Sequence, residues 1–128
     1  MSSELSVLAY YGLWIVVVIL IQVLAAAGQV GIGELVKPRE TMPALKGAAG
    51  RLDRAQANSM VAMALFAPAV LLLNAKGVST SGTLLAAQIF LIARIVYVVV
   101  YTTGTPWLRT AAWMTGFLAT AYLYVLAL

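Results

Sequence analysis

The chain has 128 residues, of which 63% are hydrophobic and 9% charged, and its mean hydropathy is +0.99. About a quarter of a soluble domain's residues are charged, so these values exclude an ordinary soluble domain. They predict a single-domain integral membrane protein with room for about four spans of ~20 residues and no separate soluble domain. The absence of cysteine and histidine excludes a disulfide framework, the usual zinc and iron ligand sets and Ser-His-Asp catalysis, and no metal is expected. The net charge of +4 collects at one membrane-proximal loop, which suits topology and anion capture and argues against nucleic acid as a partner.

Residues 5–27 form the first apolar run, interrupted by Gln22. It is long enough to span, and Met-Ser-Ser-Glu in front of it lacks the basic lead-in of a signal peptide, so a retained helix is expected. Gln22 and Gln29 lie seven apart and point toward neighbouring helices. From Gly28 to Gly50 the composition changes to glycine, proline and charge, including Lys37-Pro38-Arg39-Glu40 and Pro43. This reads as the one long polar connection, with both prolines stopping helix propagation.

The second span, 52–73, carries a polar stripe at its start. Arg51, Arg54 and Asn58 share one helical face, which continues apolar through Val61, Ala62 and Leu65. Pro68 inside this span predicts a kink, tolerable where neighbours or a polar side chain satisfy the freed carbonyl. Residues 74–82 have turn composition, and the third span follows over 83–102. Arg94, Tyr97 and Tyr101 stand at i, i+3 and i+7, on one face. After Thr103-Gly104-Thr105, Pro106 suits the first turn of a fourth span over 107–128, with Arg109 near its start and Tyr122 and Tyr124 at its far, interfacial end.

Lysine and arginine counts place the first and third loops in the cytoplasm and both termini on the other side. The polar stripe then faces the cytoplasm.

Three stretches carry a resemblance: Lys37-Pro-Arg39 with Pro43-Ala-Leu-Lys-Gly47 and Gly50-Arg51; Arg54-Ala-Gln-Ala-Asn58; and Ala93-Arg94-Ile-Val-Tyr97-Val-Val-Val-Tyr101 followed by Pro106-Trp107-Leu-Arg109. In order and spacing these resemble the MAPEG family, the membrane-associated proteins in eicosanoid and glutathione metabolism, in its short bacterial branch. The resemblance implies an antiparallel four-helix protomer in a bacterial inner membrane, assembled as a homotrimer with glutathione bound between protomers. It further implies glutathione-dependent transferase or peroxidase chemistry on lipophilic small molecules arriving from the bilayer. By position, Arg54 and Asn58 would contact glutathione, Arg51 would add charge nearby, and Arg94, Tyr97 and Tyr101 would line the site. Arg109 matches the arginine that stabilises the thiolate. One departure stands out: where the family places a glutamate three residues after the asparagine, this chain has Val61, followed by Ala62. Losing a charge-assisted hydrogen bond of that kind forfeits ~1.5 to 3 kcal/mol, about one to two decades in affinity.

Each residue also has a plainer reading. Arg51, Arg54 and Asn58 either capture an anionic ligand or serve topology by snorkelling to headgroups. Arg94, ~12 Å inside its helix, either lines a site or is a structural cation held by carbonyls, Gln22, Gln88 or phosphate. Tyr97 and Tyr101 either bond a ligand or pack between helices. Arg109 sits at a helix N-terminus, where the dipole disfavours a cation, which argues for a role but is met equally by positive-inside selection. The alternative to a glutathione enzyme is therefore a non-catalytic, structural or lipid-binding protein of the same fold.

Overall fold

The computed structural model describes residues 3–31 and 46–128. Within them run four helices, α1 (Glu4–Val30), α2 (Gly47–Ala75), α3 (Ser81–Thr103) and α4 (Pro106–Ala127). Each is long and apolar enough to cross a membrane. The Lys37-Pro38-Arg39-Glu40 and Pro43 part of the expected polar connection lies outside the described residues.

That connection is shorter than composition suggests, because α1 continues to Val30 and α2 already begins at Gly47. Gln29 supplies the reason at the second boundary. Its side-chain amide donates to the Lys46 carbonyl at 2.9 Å and accepts from the Lys46 N–H at 2.6 Å, which fixes the residue preceding α2. Gln22, on the same face of α1, is buried, while Gln29 is exposed and meets the neighbouring helix through Lys46. The third helix likewise starts at Ser81 rather than 83. Thr80 and Thr83 form a capping box there, Thr83 N–H donating to Thr80 Oγ1 at 3.1 Å and Thr80 N–H to Thr83 Oγ1 at 2.8 Å. Pro106 opens α4 as expected.

The helices run up and down, and side-chain bonds tie each end of the bundle. At one end Glu4, only 7% exposed, accepts from Ser79 Oγ at 3.0 Å and Thr83 Oγ1 at 3.1 Å. Lys76 Nζ donates to the Ala127 carbonyl at 2.6 Å at that same end, so the start of α1 and the finish of α4 lie together. At the opposite end Arg51 Nε donates to the Thr102 carbonyl at 2.9 Å. A cation against the last carbonyls of α3 is favoured by its dipole.

Between the ends the core is aromatic. Phe66 and Phe90 stack at 3.9 Å with their planes 6° apart, and Tyr11 meets Phe90 edge-on at 4.9 Å. The Tyr11 hydroxyl donates to the Ser59 carbonyl at 2.8 Å. Lipid tails are as apolar as these side chains, so tight packing and internal hydrogen bonds hold such helices together rather than expulsion from water.

Pro68 is accommodated inside a continuous α2. The Tyr124 hydroxyl donates to the Leu65 carbonyl at 2.5 Å, three residues before the proline. Tyr124 thus bonds across from α4 to α2. Replacing Tyr124 by phenylalanine is expected to cost ~0.5 to 1.5 kcal/mol, read as a lower thermal midpoint in detergent. An unchanged midpoint would mean that this bond adds nothing to the packing of α4 on α2.

Candidate functional site

The polar stripe of α2 is turned toward α3, and each of its members meets a different level of that helix. Arg51, half-buried, is held at the Thr102 carbonyl. Arg54, exposed at the rim, points its Nε at the Tyr101 hydroxyl, 3.4 Å away. Asn58, deepest of the three, accepts from Arg94 Nη2 at 2.8 Å. The helical spacing of the stripe therefore maps onto an ordered descent along α3, from its last turn to its middle.

The α3 face predicted from Arg94, Tyr97 and Tyr101 is continuous. The Arg94 guanidinium lies over the Tyr97 ring at 4.2 Å, Tyr97 meets Tyr101 edge-on at 5.5 Å, and the Arg109 guanidinium of α4 lies over the Tyr101 ring at 4.8 Å. Each such cation–ring contact is worth ~0.5 to 2 kcal/mol, more where water is excluded. Arg94 is 2% exposed, and its Nε is buried without a hydrogen-bond partner among the described residues.

Two cavities open along this row. The outer one, about 300 Å³, is lined by Asn58, Tyr97, Tyr101, Arg109, Thr110 and Trp113. The inner one, about 130 Å³, is walled mainly by apolar side chains, among them Val61, Leu65, Phe90 and Phe117, with Arg94 and Asn58 as its strongest polar groups. Asn58 and Trp113 line both, so the two spaces adjoin beside Arg94. Among the described residues no acidic side chain lines either one. Asn58 spends its carbonyl oxygen on Arg94, which leaves its amide N–H groups as donors. The junction therefore offers positive charge and donors, and it is complementary to an anion beside an apolar group.

The structure thus gathers Asn58, Arg94, Tyr97, Tyr101 and Arg109 around adjoining cavities, with Arg54 at the rim. It does not bring Arg51 to either cavity, because that side chain is committed to the end of α3. Val61, 61% exposed, lines the inner cavity at the position where a glutamate was expected. Trp113 and Gly116 were not singled out from the sequence. They stand four and seven residues beyond Arg109, so the helical spacing that grouped Arg94 with its tyrosines would have placed them on the Arg109 face as well.

A search of curated proteins and a search of solved structures each give no match. The model of the MAPEG family matches residues 5–128, and with four membrane-spanning helices and this span of match the chain belongs to the MAPEG family.

Proposed function

We propose that this protein binds glutathione at the outer cavity and joins it to, or uses it to reduce, a lipophilic molecule held in the inner one. The observation that carries this reading is the meeting of a donor-rich chamber and an apolar chamber at Asn58 and Trp113. Glutathione supplies a thiol sulfur that can displace a leaving group from carbon or reduce a hydroperoxide to an alcohol. Arg54 and Asn58 would hold the tripeptide's carboxylates and carbonyls, and Arg109 would add charge at the outer wall. Arg51 would act at a distance, holding α2 against the end of α3 so that Arg54 and Asn58 keep their register. Guanidinium groups favour the thiolate over the thiol, and the chain has no cysteine or histidine to take part as nucleophile or base.

The donors present fit an anionic, acceptor-rich ligand. The ammonium group of the tripeptide is less well served, since among the described residues no carboxylate lines the cavities. Val61 therefore favours a second reading, a non-catalytic protein of the same fold that holds lipid. Isothermal titration of the purified protein with glutathione separates the two, with Val61→Glu in parallel. Heat from the native protein at millimolar ligand, growing about ten- to a hundredfold in affinity in the variant, is the expected result. Heat from the variant alone would remove the enzyme reading.

We further propose a homotrimer whose Arg51/Arg109 end faces the cytoplasm, following the excess of basic residues there. Native mass spectrometry from detergent tests the assembly. Because the chain has no cysteine, single cysteines at Thr103 and Asn74, at opposite ends of α3 and α2, test the orientation. An impermeant thiol reagent applied to intact cells should label only the Asn74 position.

A further inference from the structure

We infer that Arg94 is a positioning residue. It fixes the Asn58 amide with its oxygen turned inward, so that this position offers a bound ligand hydrogen-bond donors alone and selects for a carboxylate or carbonyl there. The inference rests on the glutathione reading above, and it leaves the thiol-facing charge with Arg109, at the start of α4.

An unconstrained asparagine does not discriminate in this way. Its oxygen and NH2 group are close in size, and the terminal torsion of the side chain is broad and roughly two-fold. Turning the amide over exchanges an acceptor for donors. Arg94 removes that choice. A guanidinium has five N–H donors and no acceptor, and its Nη2 stands 2.8 Å from Asn58 Oδ1. Turned over, the amide would set N–H against N–H and lose a bond to a charged group, which disfavours that orientation about ten- to a hundredfold. Asn58 keeps its amide N–H groups for the two cavities that it lines.

Arg94 can hold a neighbour because it is itself held. It is 2% exposed, and its guanidinium lies over the Tyr97 ring at 4.2 Å. Its aliphatic stem rests on bare α4 backbone, where a Cβ built on Gly116 would stand 3.2 Å from Arg94 Cδ. A methyl group there would push the stem by a few tenths of an ångström, and with it the nitrogen that meets Asn58. Three helices therefore set one amide: α2 carries it, α3 turns it and α4 backs the side chain that turns it. A cation deep in a membrane span thereby acts on a ligand that it does not touch. Among the described residues the cavity walls carry no carboxylate, so the acceptors of the tripeptide belong at Asn58 and its ammonium group elsewhere.

The test uses the full chain in detergent, with calorimetry of glutathione binding read as a double-mutant cycle. Arg94→Met should weaken binding about tenfold, and Asn58→Ala at least as much. The double variant should bind within about twofold of Asn58→Ala, because Arg94 acts through that amide. Asn58→Asp keeps an acceptor for the guanidinium and loses both donors, so it should fold and yet bind as weakly as Asn58→Ala. Arg94→Lys, again a donor without an acceptor, should recover part of the loss seen in Arg94→Met. Gly116→Ala, which leaves every charge in place, should weaken binding by a smaller factor than Arg94→Met. Losses that multiply in the double variant, or full binding in Arg94→Met or Asn58→Asp, overturn the inference and leave the glutathione reading standing. Absence of glutathione binding to the native protein overturns both.

Discussion

Replacing Arg94 by methionine is expected to raise the thermal midpoint of the protein while removing the positive charge from the wall of the inner cavity. The stability half follows from the side chain's surroundings. Holding a charge in the membrane interior costs several kcal/mol. Against this stand the Asn58 bond at 2.8 Å and the Tyr97 ring at 4.2 Å, worth ~1.5 to 3 and ~0.5 to 2 kcal/mol. Its Nε–H is buried and has no partner among the described residues. Methionine fills a similar length with no charge, and Asn58, half-buried beside a cavity, can turn its freed oxygen toward that space. A gain of ~1 to 4 kcal/mol is therefore expected, the range seen when buried ionic groups give way to apolar ones. A structural cation makes the opposite prediction. If Arg94 chiefly braces α3 against α2, the methionine variant melts lower, and so does an Asn58→Ala variant. Thermal unfolding of the two variants beside native protein distinguishes a charge kept for a ligand from one kept for the fold.

The contrast between Arg94 and Arg51 shows how far the sequence could be read. Both were visible as members of periodic faces, and hydropathy with the turn residues placed all four spans on their helices. Periodicity assigns a residue to a face but does not say what stands opposite. Arg51 meets the last carbonyls of α3, and Arg94 meets an asparagine, a ring and a cavity. The helix ends were misjudged for a related reason. Gln29 and Thr80 extend α2 and α3 through bonds to Lys46 and Thr83, and the first of these joins residues far apart in the chain. Gly116 was the least legible member of the site. A glycine within a membrane helix is ordinary, and only the Arg94 stem lying against it gives it meaning. The missing glutamate was legible from the start, but its consequence was not. With Val61 there, no carboxylate among the described residues stands on the inner cavity wall, which makes Arg94 the dominant charge they place there.

Replacing Phe90 by alanine is expected to cost ~2 to 4 kcal/mol. Phe90 is 1% exposed, stacks on Phe66 at 3.9 Å and carries the edge of Tyr11 at 4.9 Å. Tyr11 in turn holds α1 to α2 through the Ser59 carbonyl at 2.8 Å. In a bilayer the unfolded reference is itself apolar, so little transfer energy is lost, and the cost comes from packing contacts removed on several sides at once. Phe90 also forms part of the inner cavity wall, whose volume is about 130 Å³. Removing the ring merges that cavity with the aromatic core and should admit a bulkier apolar molecule beneath Arg94. This gives the prediction a second measurement. An apolar cavity of ~150 Å³ can take up benzene, so benzene should return part of the lost thermal midpoint in Phe90→Ala and leave the native protein little changed. A midpoint that falls without recovery would mean that the neighbouring helices close over the gap, and that the inner cavity and the aromatic core are not separated by this ring alone.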